Sequence, residues 1–478
     1  MSGEREACGG REACGERGVC GGRGVCGGRE ACEASGTRGA AVVPPELRRL
    51  LDEAAARTYT RAERVPLAEL DSWFTDPATG TLRHASGGFF SVRGVRVHRP
   101  GHPVPGWDQP IIDQPETGVL GLLVGDLGGV RHCLVQLKPE PGNHNGIQIS
   151  PTVQATRSNY LGLHGGRRVP YLEHFTTRGR HRVLADVRQS EQGAWFLRKR
   201  NRNLVLDAGD TAEEIPVLDH FTWLPLDTLH ALLAVDDLVN MDTRSVLACL
   251  PPPPAPLGTP ALHSDTEVLS WITDQRTATD LRVTPAPLHD LAHWHRDADG
   301  IRHDSGSFFE VVGVRVTAHG REVAGWCQPM LAPVGTGLVA LLTTRVDGVP
   351  HVLLELRPEP GSADVAELAP TVRCLPRNYT ALPAEARPPF LDHVQDADPT
   401  RVLFDSVQSE EGGRFHHART RHLIVESEPL PEPPGHRWLS LPQLTELLRH
   451  SHYVTMETRS LLACLRSLPG YGTSGGAA

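Results

Sequence analysis

Lysine is almost missing from this chain: Lys138 and Lys199 are the only two among 48 basic residues in a sequence of 478. Arginine supplies the rest, a bias that fits a GC-rich genome better than any demand of folding, and it makes each lysine a position of interest. Aromatic residues are scarce as well, at 5%. The longest apolar stretch, near residues 119–124, is far shorter than the roughly 20 residues that cross a bilayer as a helix. No charged-then-apolar leader opens the chain, so no secretory signal is expected. A formal charge of −9 withholds the basic footprint that non-specific nucleic-acid binding needs. Signature loops are missing too. There is no Walker A loop, no Gly-x-Gly-x-x-Gly after a strand and no His-Glu-x-x-His helix, and no Gly-x-Ser-x-Gly elbow between a strand and a helix. Neither lysine is preceded four residues earlier by tyrosine, which removes a common reductase pairing. These absences describe a soluble, cytoplasmic protein with no contact to nucleic acid or membrane and no cofactor or metal written into it.

Cysteine divides into two groups. Cys8, Cys14, Cys20, Cys26 and Cys32 fall every sixth residue in a Gly/Arg/Glu-rich stretch. Residues 1–43 are of such low complexity that they are expected to be disordered, and to lie upstream of the true start. Cys133, Cys249, Cys327, Cys374 and Cys464 are scattered, and no Cys-x-x-Cys pair suggests zinc. They read as small buried hydrophobes.

What is present is a repeat. Residues 83–97 recur at 302–316 with eleven of fifteen positions matching, and the offset of 219 persists for over a hundred residues. A first repeat over 44–250 and a second over 261–466 are expected, joined by a Pro-rich linker at 251–260 and followed by a disordered tail at 467–478. Residues 44–64 read as a helix. Residues 89–97, 118–124, 131–139 and 147–155 read as strands, with a hairpin around Gly128 and Gly129. Two helices close each repeat, at 226–233 with 243–250 and at 441–448 with 458–465. Strands flanked by helices give an α+β sandwich.

The densest polar stretch runs from Gln136 to Tyr160. Alternation on a strand points Gln136, Lys138 and Glu140 one way and Cys133, Val135 and Leu137 the other. A Lys and a Glu on a half-buried face need a partner or a task. An ion pair at a sheet edge answers the first; a site at a strand end answers the second. The second repeat carries Glu355, Arg357 and Glu359 at the equivalent positions, yet Asn143, His144, Gln148, Gln154 and Arg157 become Ser362, Ala363, Glu367, Arg373 and Pro376. Polar groups confined to the first repeat make its pocket the working one and the second vestigial. Shared positions, including Pro151, Thr152, Val153, Asn159 and Tyr160, serve the fold or a common ligand. Trp107, in Gly-Trp-Asp-Gln-Pro, is either a base-stacking platform or a core residue.

Several segments resemble the NDP-hexose 2,3-dehydratase family: Trp73-Phe-Thr-Asp, Ser86-Gly-Gly-Phe-Phe, Gly106-Trp-Asp-Gln-Pro-Ile-Ile, Lys138-Pro-Glu-Pro-Gly-Asn and Ser150-Pro-Thr-Val-Gln-Ala-Thr-Arg-Ser-Asn-Tyr. The resemblance covers about 67–465. It implies two tandem Nudix-like α/β/α sandwich repeats in a homodimer, acting on dTDP-4-keto-6-deoxy-D-glucose in deoxysugar biosynthesis for natural products. It also implies an NADPH-dependent 3-ketoreductase as the next enzyme. The Arg-Glu-x-x-Glu-Glu run of a metal-binding Nudix box is missing. The chemistry so implied needs a base at C3, a cation at O4 and an acid for the C2 hydroxyl. By chemical fitness Lys138 is expected at O4 and Glu140 at C3, with His144 or Tyr160 as the acid, and Glu140 and His144 able to exchange roles. Arg157 is expected to hold the diphosphate and Trp107 the thymine or sugar. Gln109, Gln136, Asn143, Gln148, Thr156 and Asn159 complete the expected binding surface. A nucleotide-sugar hydrolase and a non-catalytic nucleotide-sugar-binding partner of a ketoreductase are the alternatives.

Overall fold

The opening helix is shorter than its pattern suggests. In the computed structural model, which describes residues 42–156, 168–254, 256, 258–320 and 323–471, it spans Pro45–Arg57 and buries Leu47 and Ala54. Almost all of the 1–43 stretch therefore lies outside the described residues, as do residues 472–478. The helix stops where Thr58 turns extended and its hydroxyl donates back to the Ala54 carbonyl at 2.8 Å. Residues 59–64, expected to continue the helix, instead belong to a strand, Tyr59–Val65, and the partner of that strand organises the molecule.

Tyr59–Val65 pairs antiparallel with Phe309–His319 of the second repeat, Tyr59 opposite His319 and Val65 opposite Gly313. Reciprocally, Arg282–Ala286, which leads into the second repeat, pairs with Ser91–His98 of the first. Each repeat thus lends its leading strand to the other's five-stranded sheet. The matching motif has a physical cause here. A Cβ at Gly94 would lie 2.6 Å from the Ala286 carbonyl oxygen, and one at Gly313 would lie 2.5 Å from that of Val65. Only glycine admits the visiting backbone.

The fold is mixed α+β. Each repeat also carries a seven-stranded sheet. In the first, Gly118–Leu127 and Val130–Pro139 form the expected hairpin, with Gly128 and Gly129 at φ 56° and 77°. Gly118–Leu127 also pairs in parallel with Arg200–Asp207. The single strand expected over 147–155 is split into Ile147–Ser150 and Val153–Ala155, which pair with different members of the hairpin. Thr152 sits at the break, where its hydroxyl accepts from the Leu123 amide at 2.9 Å and donates to the Leu134 carbonyl. Thr371 repeats this between Leu342 and Leu353. The shared threonine therefore serves the fold.

Cys133, Val135 and Leu137 enter a core that also contains Val339, Leu354, Leu444 and Leu461, so the two repeats are packed as one body. Its centre is a pair of helices, Met241–Ala248 and Met456–Arg466, lying against each other. Arg244 donates to Ser460 Oγ at 2.6 Å and Arg459 to Ser245 Oγ at 2.9 Å. Each guanidinium then reaches the end of a strand of the opposite repeat, Arg244 at the Ser409 carbonyl (2.9 Å) and Arg459 at the Ser190 carbonyl (2.7 Å). Loops beyond the strand ends cross: the Gly142 amide donates to the Gly412 carbonyl and the Gly361 amide to that of Gly193, both at 2.7 Å.

A Cβ on Gly142 would lie 1.7 Å from the Phe415 carbonyl oxygen, a backbone atom that no rotamer change can clear. Gly142→Ala should therefore destabilise the protein by about 3 kcal/mol or more, at the upper end of overpacking costs. The measurement is the urea midpoint against Gly88→Ala, at a glycine outside the left-handed region whose Cβ would meet only Ser86 Oγ, at 3.4 Å.

Candidate active site

A cavity of about 440 Å³ opens where this crossing brings the repeats together. The first repeat contributes Lys138, Glu140, Gln154, Thr156, Glu191, Lys199, Asn201 and Asp242, and the second Trp326, Gln328, Glu411 and Arg414. Both lysines of the chain line it. The walls are largely apolar, with Trp73, Phe89, Phe90 and Phe196 among them.

Lys138 stands next to the last residue of Val130–Pro139, and Glu140 follows that strand. The Lys138 ammonium is 3.2 Å from Glu140 Oε1 and donates to Gln154 Oε1 at 3.0 Å, while Gln154 Nε2 donates to the same Glu140 oxygen at 3.0 Å. Both charged side chains are nearly enclosed, 11% and 6% exposed. The ion-pair and site readings thus describe one object, an enclosed pair facing a cavity.

Around this triad lies a second set of groups that the sequence pattern did not bring forward. Lys199 is buried and donates to the Glu116 carbonyl at 2.6 Å; burial lowers its ammonium pKa, partly offset by Glu191. Glu191 accepts from Asn201 at 2.7 Å through one oxygen, while its buried Oε2 has no hydrogen-bond partner, and burial raises its pKa. Asp242 lies in the first turn of Met241–Ala248 and is 4% exposed. Burial holds its carboxyl well above the usual range, reinforced by Glu191, Glu411 and Glu140 and opposed by Lys138. Burial also pushes Glu411 up to about 7, against Arg414 and Lys199. Arg414 donates to Gln114 at 3.2 Å and lies 4.2 Å over the Phe90 ring. The scarcity of lysine was the one signal that pointed to any of these groups, and it pointed to Lys199.

Of the expected site residues, Lys138, Glu140 and Thr156 line the cavity. Tyr160, Arg157 and Asn159 lie outside the described residues. Trp107 and Gln109 belong to a different place. The Trp107 indole donates to Gln109 at 2.8 Å, Gln109 donates to the Ala194 carbonyl at 2.8 Å, and Trp107 packs with Val95, Val97 and Val283. The equivalent pair from the second repeat, Trp326 and Gln328, lines the Lys138 cavity instead. His144 is exposed, edge-on to His417 at 5.8 Å, and does not line the cavity. Asn143 and Gln148 are turned to the interface between repeats: Gln148 donates to Ser409 Oγ at 2.7 Å, and Asn143 donates to the Gly146 carbonyl at 2.8 Å beside Gly412. Gln136 is half-buried outside the lining. None of these six residues lines the cavity, because the exchange of strands and loops brings residues of the second repeat to it instead.

Among the described residues no group of three His, Cys, Asp or Glu is arranged to hold a metal ion, and no helix is long and apolar enough to cross a membrane. The five described cysteines are free thiols; burial pushes Cys133 and Cys464 up to about 12 and Cys249 to about 11, as expected of inert core residues, whereas Cys327 and Cys374 are only half-buried and Cys327 lines the cavity.

An enclosed ammonium beside a carboxylate, ringed by carboxyls whose protonation burial favours, is the equipment of an enzyme that moves protons on a small bound molecule. The comparison with known proteins gives the particular kind. The family model described as NDP-hexose 2,3-dehydratase matches residues 45–250 and 265–465, and the chain belongs to that family. A dTDP-4-dehydro-6-deoxy-alpha-D-glucopyranose 2,3-dehydratase of Amycolatopsis orientalis is 45% identical over 91% of this chain and 92% of its own length. One of Streptomyces violaceoruber is 48% identical over 88% of this chain and 97% of its own length. Among solved structures, an ADP compounds hydrolase aligns over 29% of this chain and 75% of its own, at 17% identity and a TM-score of 0.20.

The raised Glu411 pKa sets a sign for stability. Between its ordinary value of 4.5 and about 7, the folded state holds a proton that the unfolded state has released. That contribution is fully present below the lower value and is lost as pH rises through the window. Glu411→Gln should remove this loss, so the difference in urea midpoint, variant minus wild type, grows from pH 4.5 to pH 7.5.

Proposed function

We propose that this chain converts dTDP-4-keto-6-deoxy-D-glucose to dTDP-3,4-diketo-2,6-dideoxy-D-glucose by 2,3-dehydration, acting as a hydro-lyase. The observation that carries the reading is the enclosed Lys138–Glu140–Gln154 triad on a cavity large enough for a hexose. The names of relatives that align along nearly their whole length support the same substrate.

The C4 ketone acidifies the proton on C3. Glu140 as a carboxylate removes it, and the electron pair moves onto O4, where the Lys138 ammonium meets the developing charge in a site shielded from water. Gln154 is hydrogen-bonded to both base and cation, so little reorganisation is needed as charge forms. The enolate then expels the C2 hydroxyl. The aromatic wall, with Trp326 contributed by the second repeat, packs the sugar or thymine. Arg157, next in sequence to the cavity-lining Thr156, is our candidate for the diphosphate, and Asn159 and Tyr160 remain candidates for binding and proton transfer. His144, facing solvent, leaves the acid role to a group inside the cavity.

The fold class that fits the resemblance is a pair of Nudix-like sandwiches, the first chemical and the second lending it walls. A cytoplasmic homodimer that passes its product to an NADPH-dependent 3-ketoreductase completes the proposal. A vicinal diketone is too reactive to accumulate usefully.

The test is incubation of purified protein with dTDP-4-keto-6-deoxy-D-glucose, NADPH and a 3-ketoreductase, read by mass spectrometry. The expected product is a dTDP-4-keto-2,6-dideoxyhexose; unchanged substrate with proven binding would overturn the reading. Lys138→Met should lower kcat by about 100- to 1,000-fold, the usual cost of one oxyanion-stabilising donor, with substrate still bound. Trp326→Ala should raise KM well above the value for Trp107→Ala, although the two tryptophans occupy equivalent repeat positions.

A further inference from the structure

Comparison of the two repeats at the position of Asp242 isolates one more participant. Its counterpart in the second repeat, Glu457, is neutralised: Arg373 lies 2.8 Å from Glu457 and also pairs with Glu359, the counterpart of Glu140. The residue equivalent to Arg373 in the first repeat is Gln154, which bridges Lys138 and Glu140 and carries no charge. Asp242 is therefore left in the cavity wall, 4% exposed, without an ion pair or a hydrogen bond from any described residue. The groups that bear on it are Glu191, Glu411 and Glu140, which disfavour its ionisation, and Lys138, which favours it. The neighbouring Glu191 Oε2 is buried without a hydrogen-bond partner, and the cations that bear on Glu191, Arg459 and Lys199, are not among the groups that act most on Asp242. A carboxyl kept neutral by its surroundings is a donor.

We infer that Asp242 is the catalytic acid that protonates the departing C2 hydroxyl, with Gln154 serving as the positioning residue that leaves it un-neutralised. The inference rests on the dehydratase reading. In the step, the C3 proton passes to Glu140 and its electron pair forms the enolate. The pair returns as the C2=C3 double bond while C4=O re-forms, the C2–O bond breaks, and the hydroxyl leaves as water with the Asp242 proton. Tautomerisation closes the cycle: C2 takes the proton held by Glu140, and the enol O3–H proton restores Asp242.

A fluoride leaving group needs no such proton, and the test uses this. Wild type and Asp242→Asn are compared on the natural substrate and on its 2-deoxy-2-fluoro analogue, with fluoride release measured by electrode and folding checked by thermal melt. The expected result is a loss of about 100-fold or more in dehydration, the lower range for a general acid, while fluoride release falls far less. Loss of C3 deuterium exchange should not accompany it, whereas Glu140→Gln abolishes exchange. Equal losses on both substrates, or dehydration at the wild-type rate, overturn the inference. Should the Asn variant fail to fold, Asp242→Glu gives the same comparison through a displaced carboxyl, and an equal effect on both substrates is again fatal. Wild type that neither dehydrates nor releases fluoride would instead sink the dehydratase reading.

Discussion

Arg244 and Arg459 have lost all contact with water, and each is held by a serine hydroxyl of the facing helix, a carbonyl of its own repeat and a carbonyl of the other. A buried guanidinium is tolerable only when its donors are met, so the two helices and two strand ends that satisfy them are fixed relative to one another. Those strand ends precede Glu191 and Glu411. The centre of the molecule thus sets where the cavity's carboxyls stand, and the exchange of leading strands and the crossing at Gly142 and Gly361 follow the same two-fold logic.

The consequence is a site that neither repeat owns. Lys138, Glu140 and Asp242 come from the first repeat, while the second closes the cavity with Trp326, Glu411 and Arg414. Duplication supplies the frame, and divergence at a few positions supplies the chemistry. Gln154 against Arg373 is the clearest of these: one leaves a neighbouring carboxyl un-neutralised, the other clamps two carboxylates into a closed ion network. A chemically quiet second pocket is the expected result of such a clamp, because its charges are already spent on each other.

Much of this was readable before any fold was known. The duplication, the hairpin at Gly128 and Gly129, the closing helices and the facing of Lys138 and Glu140 all arise from periodicity and turn chemistry acting over a few residues. The helix expected through Arg64 failed because Tyr59–Val65 has a partner 250 residues away, and a long-range pairing outweighs local propensity. Trp107 and Gln109 stand apart from the Lys138 cavity for a related reason. A strand's sequence shows which residues share a face, and not which repeat that face meets.

By itself, the sequence determined that one domain is written twice, that the two copies differ in their polar groups between Gln136 and Tyr160, and that its two lysines stand apart from an arginine-rich background. These are properties of composition, alternation and spacing, which need no partner to be seen. The tertiary structure decided which side chains share a cavity, which carboxyls lose their water, and that the second copy completes the first. Protonation and proximity depend on groups hundreds of residues apart, brought together only when the two repeats cross.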